Sequence, residues 1–215
     1  MREKYRKELE ELKGDVFILG KLVRKALEDS VVALQNQDIV LANTVILGDN
    51  DIDESYRTLE ERCLQFIALQ QPVARDLRML ITTVKVLTDL ERIGDYAQSI
   101  AEITIKLKDE KYFKPLLHIR EMATMVEEMI TMSLDVYLLE EPERAEDVFA
   151  LDEKVDATYH ELFRELLTYM MENPRTITQS TYFMLIARHM ERMGDHALNI
   201  ANRVVYMVNA EKKYI

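Results

Sequence analysis

Glu91 and Asp95, four residues apart, recur one hundred residues later as Glu191 and Asp195, inside the matching runs Glu91-Arg92-Ile93-Gly94-Asp95-Tyr96-Ala97 and Glu191-Arg192-Met193-Gly194-Asp195-His196-Ala197. A second pair of acids, Asp49 and Asp53, returns as Asp152 and Asp156 at an offset of 103, and Gln71-Pro72 returns as Asn173-Pro174 at an offset of 102. Small, ordered shifts in offset are what a duplicated unit with minor insertions leaves behind. On a helix, i to i+4 spacing puts both carboxylates of a pair on one face, about 6 Å apart. Oxygen-only donors favour hard cations, so iron(III), manganese, magnesium or calcium suit such pairs better than copper, with zinc less typical. A Glu-x-x-His ligand pair of the di-iron bundles is absent, as are a Gly-rich phosphate loop, a nucleophile elbow and zinc-finger spacing.

That chemistry requires helices, and the composition predicts them. The 215 residues include five Gly and four Pro, against roughly 15 and 11 at average usage, too few breakers for sheets with tight turns. The four prolines, Pro72, Pro115, Pro142 and Pro174, fall between apolar-periodic stretches, where each suits the first position of a helix. With Asp38 as a further N-cap, the punctuation predicts six helices near 1–36, 38–70, 72–108, 115–140, 142–172 and 174–210. Leu9, Leu12, Val16, Leu19, Val23 and Ala26 step by threes and fours, as do Met122, Met125, Met129 and Met132. Both sets read as bundle seams, and the methionines as core rather than an adaptable partner groove. The fold class is all-α: two tandem, sequence-related three-helix bundles over 1–108 and 115–215, divided by a charged linker at 108–114.

Following the seams places the acids among apolar positions. On the fifth segment the series is Ala145, Phe149, Asp152, Asp156, Tyr159, Phe163, Leu166 and Met170, and on the second Ala42, Ile46, Asp49, Asp53, Tyr56 and Cys63. On the third, Val84 and Leu87 lead to Glu91, Asp95 and Gln98, and on the sixth Met184 and Ala187 lead to Glu191, Asp195 and Leu198. Each half thus aims four carboxylates inward or into the groove between two helices. Like charges so gathered need protons, cationic side chains or metal ions, and Arg92, Arg192, Lys85 and Arg188 stand close enough in sequence to supply some of that charge. A bundle whose acids merely form ion pairs stays open as a reading. Gly94 and Gly194, mid-helix in both copies, fit either close helix packing or room for a metal cluster. His189 and His196 read as surface groups or supports rather than ligands, and His118, His160 and Cys63 carry no signal.

Charge and cysteine content narrow the class. Lys and Arg number 28 against 39 Asp and Glu, a net charge of −11 that disfavours nucleic acid and suits cations or basic partner patches. One cysteine permits no internal disulfide, the charged N-terminal stretch is unlike a signal peptide, and no apolar run approaches a membrane span. The expectation is a cytoplasmic protein whose membrane contact is peripheral, through partners.

The stretch Gln70-Gln71-Pro72-Val73-Ala74-Arg75-Asp76-Leu77-Arg78, running on through Asp89-Leu90-Glu91-Arg92-Ile93-Gly94-Asp95-Tyr96-Ala97, resembles the signature of the PhoU family of phosphate transport accessory proteins. Residues 187–201 resemble its second copy, and the likeness covers the whole chain. The resemblance implies two multinuclear iron or zinc clusters, the first on Asp49, Asp53, Glu91 and Asp95, the second on Asp152, Asp156, Glu191 and Asp195. It also implies a non-catalytic regulator, expected as a homodimer. Such a regulator restrains the phosphate ABC transporter at its cytoplasmic subunits and represses the phosphate-starvation response through a sensor histidine kinase. The competing expectation from the residues is a carboxylate-bridged metalloenzyme, a hydrolase or oxidoreductase.

Overall fold

The computed structural model describes residues 2–212, with side chains described from 6 to 209. Six α-helices follow in order: α1 (Arg2–Asn36), α2 (Ile39–Gln70), α3 (Ala74–Lys106), α4 (Leu117–Leu139), α5 (Ala145–Glu172) and α6 (Ile177–Lys212). Asp38 caps α2 as its sequence position predicts, its carboxylate accepting from the Val40 and Leu41 amides at 2.9 and 3.0 Å. Pro142 and Pro174 open short 3₁₀ turns that run into α5 and α6. Pro72 and Pro115 do not begin helices. Gln71, barred from the right-handed helical region by the proline after it, turns left-handed (φ 45°), Val73 is extended, and α3 starts only at Ala74. After Pro115, Leu116 is still non-helical and α4 starts at Leu117.

The two three-helix bundles are both present, and they share one core. α2 packs on α1 and α3, and α5 packs on α4 and α6. Between the halves, α1 meets α4 and α3 meets α6. The buried apolar cluster runs unbroken from Leu12 on α1 through Leu90 and Met129 to Met207 on α6. Met122 and Met129 are fully buried and Met125 and Met132 pack at the edge, so the methionine stripe is core. Tyr137 lies buried on α4 and its hydroxyl meets Thr83 of α3 at 2.7 Å, a polar tie across the halves.

The charged linker is strapped down at several points. Gln37 donates to the Leu107 and Glu110 carbonyls, both at 2.8 Å, and Tyr112 donates to the Leu34 carbonyl at 2.8 Å. The Phe113 amide donates to Gln179, Lys114 pairs with Glu165, and the Phe113 ring packs on Tyr169 and Phe183. Cys63 sits in the core, where burial pushes its thiol up to about 11.

α3 and α6 form the spine of the molecule and run antiparallel. Asp89 lies opposite His196, and Tyr96 lies opposite His189. Since Asp89 and His189, like Tyr96 and His196, are equivalent positions of the repeat, the two Glu-Arg-x-Gly-Asp runs pack back to back at one level.

Candidate functional site

The eight acids gather as two groups of four. Asp49 and Asp53 on α2 face Glu91 and Asp95 on α3 closely enough that their charges act on one another, and Asp152 and Asp156 on α5 do the same with Glu191 and Asp195 on α6. They line the grooves between helices rather than the seams. The buried positions of α2 are Ala42, Val45, Ile52, Leu59 and Cys63, and those of α5 are Ala145, Val148, Val155, Thr158, Leu162 and Leu166. The seam drawn through Phe149, Asp156 and Phe163 is therefore displaced by one residue, and all three of those side chains are exposed. Seven of the acids are half-buried, with Asp156 the outermost.

Each groove is pinched where a glycine of the spine helix meets the outer or core layer. A methyl group on Gly94 would stand 3.1 Å from Ile52 Cγ2 and 3.5 Å from Asp49 Oδ1, and one on Gly194 would stand 3.6 Å from Met129 Cε and 3.7 Å from Asp152 Oδ1. A methyl at either position would thus stand in van der Waals contact with an aspartate oxygen, filling the space the glycine leaves beside it. Asp49 Oδ1 is buried there with no hydrogen-bond partner, and so is Glu191 Oε2 in the other groove. Burial, then the charges of Asp95 and Asp53, push Asp49 up to about 6. Burial, then Asp156, Asp195 and Glu191, push Asp152 up to about 6. Glu91 and Glu191 are also raised, first by burial and then by their motif aspartates.

Arginines supply the compensating charge from the solvent side. Arg92 pairs with Asp95 at 2.9 Å and Glu91 at 3.4 Å, and Arg57 pairs with Asp53 at 3.1 Å. Arg188 pairs with Glu191 at 2.6 Å and Arg192 with Asp195 at 3.0 Å. Lys85 takes no part: it lines a separate cleft between α3 and α6 with Arg78 and Arg203.

Two features bear on whether these residues suit a metal. In the arginine-paired arrangement, no three His, Cys, Asp or Glu side chains among the described residues converge into a ready ion site. The donor set nevertheless fits a hard cation: four carboxylates per groove, one buried oxygen without a hydrogen bond, and a glycine that leaves space beside Asp49 or Asp152. Arg92 and Arg192 are half-exposed and meet Asp95 and Asp195 from the solvent side, while Glu191 is held by Arg188 as well.

The sequence reading passed over Asp89. It is 3% exposed and takes two partners from α6, His196 Nδ1 at 3.0 Å and Arg203 Nε at 2.7 Å. His196 and His189 both pack on the Tyr96 ring, and burial lowers the pKa of His189. Both histidines are thus supports at the junction of the halves. The signal was available in the repeat: Asp-to-His and Tyr-to-His exchanges at the two positions that antiparallel packing brings face to face.

Comparison with known proteins agrees with this architecture. The family model described as the PhoU domain matches twice, at residues 17–104 and 119–204. The chain is 42% identical to the phosphate-specific transport system accessory protein PhoU homolog of Aquifex aeolicus, over 95% of this chain and 93% of that one. It is 35% identical to the homolog of the same name from Clostridium acetobutylicum, over 98% and 97%. The crystal structure of PhoU from Pseudomonas aeruginosa superposes with a TM-score of 0.92 at 36% identity, covering 96% of this chain and 99% of that one. The phosphate transport system regulatory protein PhoU from Streptococcus pneumoniae superposes at 0.90, with 28% identity over 96% and 97%.

Proposed function

We propose that this chain, which belongs to the PhoU family, is an accessory regulator of phosphate-specific transport that holds a metal cluster in each of its two acid-lined grooves. The first group falls to Asp49, Asp53, Glu91 and Asp95, the second to Asp152, Asp156, Glu191 and Asp195, with iron or zinc as the metal. The observation that carries the metal reading is a buried carboxylate oxygen without a hydrogen bond in each groove, Asp49 Oδ1 in the first and Glu191 Oε2 in the second, the latter with only Arg192 Nε at 3.7 Å beside it. A bound cation supplies positive charge that clamps the outer helix to the spine helix. The chain's own residues do the rest: Gly94 and Gly194 keep the space open, and Arg92, Arg188 and Arg192 stand in as counter-charges when the carboxylates are not otherwise engaged.

In this reading the protein is non-catalytic, works in the cytoplasm as a homodimer, and docks on the cytoplasmic subunits of the phosphate ABC transporter and on the sensor histidine kinase, restraining both when phosphate is plentiful. A net charge of −11 supports docking on basic partner patches, and such attraction weakens as salt rises. Among the described residues no helix is long and apolar enough to cross a membrane, which supports contact through partners.

Two measurements test the proposal. Elemental analysis of the purified protein should show metal content falling by about half in the Asp49→Ala/Asp53→Ala variant, each groove holding one of two clusters. An unchanged content, or a metal-free wild type, leaves the acids as ion-pair partners only. Co-purification with the transporter ATPase and the kinase should be stronger at high phosphate than at low, and equal recovery at both would remove the regulatory part.

A further inference from the structure

Separate from the eight acids, a cleft of about 440 Å³ lined by α3 and α6 contains three cations and no acid in its described lining. Arg78 and Lys85 come from α3, Arg203 from α6, and Asn199 and Asn202 add side-chain amides. On a chain of net charge −11 this is an unusual concentration of positive charge. Arg203 is held in place from behind: its Nε donates to Asp89 Oδ2 at 2.7 Å, so the carboxylate fixes the guanidinium at the cleft wall. Asp89 itself is buried and does not face the cleft opening.

The repeat provides an internal control. At an offset of 100, the counterparts of Arg78, Lys85, Asn199, Asn202 and Arg203 are Thr178, Leu185, Ser99, Glu102 and Ile103. The duplicated halves keep all four acid pairs yet differ at every one of these positions, and the cationic group occurs on one side only. Nothing in the repeat itself requires the charge, because the equivalent positions carry Leu185, which is exposed, and Ile103, which is buried.

We propose that this cleft is an oxyanion site that takes a phosphate group. Two guanidinium groups offer forked donors matched to tetrahedral oxyanions, Lys85 adds a point charge, and the two asparagine amides complete a donor set suited to a doubly charged ligand rather than to chloride. The volume exceeds that of free phosphate, and the lining also carries two exposed apolar groups, Ile81 on α3 between Arg78 and Lys85 and Tyr206 on α6 one turn beyond Arg203, against which the body of a phosphorylated small molecule would pack. The ligand group is shared by two sources, the free ion and the phosphate chain of a nucleotide. This site is independent of the metal-binding reading.

The test is calorimetric titration of the purified full-length protein, after chelation and dialysis, with inorganic phosphate and separately with ATP, at constant ionic strength set by chloride. Saturable one-to-one binding of at least one of them is expected, weakened at least about tenfold by Lys85→Glu and by Arg78→Gln, as befits loss of a charge-assisted contact. Lys85 is exposed, so its variant keeps the fold, which circular dichroism verifies. Equal binding of both probes identifies the free ion as sufficient. Tighter binding of ATP that Tyr206→Ala abolishes, with phosphate binding intact, identifies the nucleotide. Absence of saturable binding of either probe at millimolar concentration overturns the proposal, as does binding that Lys85→Glu and Arg78→Gln leave unchanged. Binding that appears only in metal-loaded protein and vanishes in Asp49→Ala/Asp53→Ala also overturns it, since the anion then sits on the metal.

Discussion

Substituting alanine for each spine glycine separates packing from metal binding, and the two positions answer differently. A mid-helix glycine costs about 1 kcal/mol relative to alanine. At Gly194 the added methyl meets Met129 Cε and Sδ at 3.6 Å and Asp152 Oδ1 at 3.7 Å, ordinary van der Waals contacts on a flexible thioether. Metal-free Gly194→Ala is therefore expected to gain up to about 1 kcal/mol, which for a chain of this size raises Tm by about 2–4 °C. At Gly94 the methyl meets Ile52 Cγ2 at 3.1 Å and Cδ1 at 3.2 Å. Ile52 is 1% exposed and stiff at its branched Cβ, so its displacement offsets the helical gain, and Gly94→Ala should match or fall below the wild type. Both methyls stand beside a proposed ligand oxygen. In both variants the stability gained on adding metal should shrink, by about 1.4 kcal/mol for each tenfold loss of affinity at saturating concentration. Thermal melts of chelated and metal-loaded protein, paired with elemental analysis, read both quantities. A Gly194→Ala protein that keeps its full metal content and its full metal-induced stabilisation would falsify the claim that the glycine makes room for a cation. A chelated Gly194→Ala protein less stable than wild type would refute the contact geometry.

Asp49 and Asp152, each raised to about 6, bind protons more tightly folded than unfolded, so their contribution to stability is present below the ordinary carboxylate range and is lost as pH rises through about 6. Asp49 and Asp152 should together favour the chelated protein at pH 5 over pH 7.5 by on the order of 1 kcal/mol per group after solvent screening. In melts of Asp49→Asn/Asp152→Asn the stability at pH 5 relative to pH 7.5 should fall by that amount, with Glu91, Glu191 and His189 setting what remains. Asp89→Ala removes the buried partner of Arg203 and His196 and should cost about 3 kcal/mol by denaturant melt, the low end for a broken buried pair because Arg203 can turn toward the α3/α6 cleft. A loss below about 0.5 kcal/mol, the range of ordinary surface changes, would show that the junction does not depend on this charge.

Helix number, the Asp38 cap and the repeated acid pairs were legible because they rest on local rules: punctuation, capping and period. The α5 seam was misplaced for an equally local reason. Phe149 and Phe163 are the larger apolar side chains beside Val148 and Leu162, and they drew the stripe one residue round the helix. Of the other long helices α5 packs on α4 and α6, and its inward stripe is Val148, Val155, Thr158, Leu162 and Leu166, with Phe149 and Phe163 left at the wet edge. The fusion of the halves was illegible because it depends on the antiparallel register of α3 against α6, a contact between residues more than one hundred apart such as Asp89 and His196. Lys85 was misassigned for the same reason: six residues from Glu91 on one helix, it lies on the face that meets α6 and leaves the acids to the face that meets α2.

The lateral position of the acids follows from the energetics of burial. Had Asp49 or Asp152 occupied the seam itself, each would carry a desolvation cost of several kcal/mol with nothing but a metal to offset it, and the chain would fold only when loaded. Ile52 and Val155 hold the seam instead, so the apolar core closes on its own. Asp49 and Asp152 then set an oxygen against the spine glycine, while Asp95 and Asp195 opposite them are met by Arg92 and Arg192 from the solvent side. That arrangement lets the core close without a metal, and on the proposed reading it leaves the groove carboxylates for a cation. A regulator needs both states to be folded, since a chain that unfolds whenever it loses its ion reports only its own destruction.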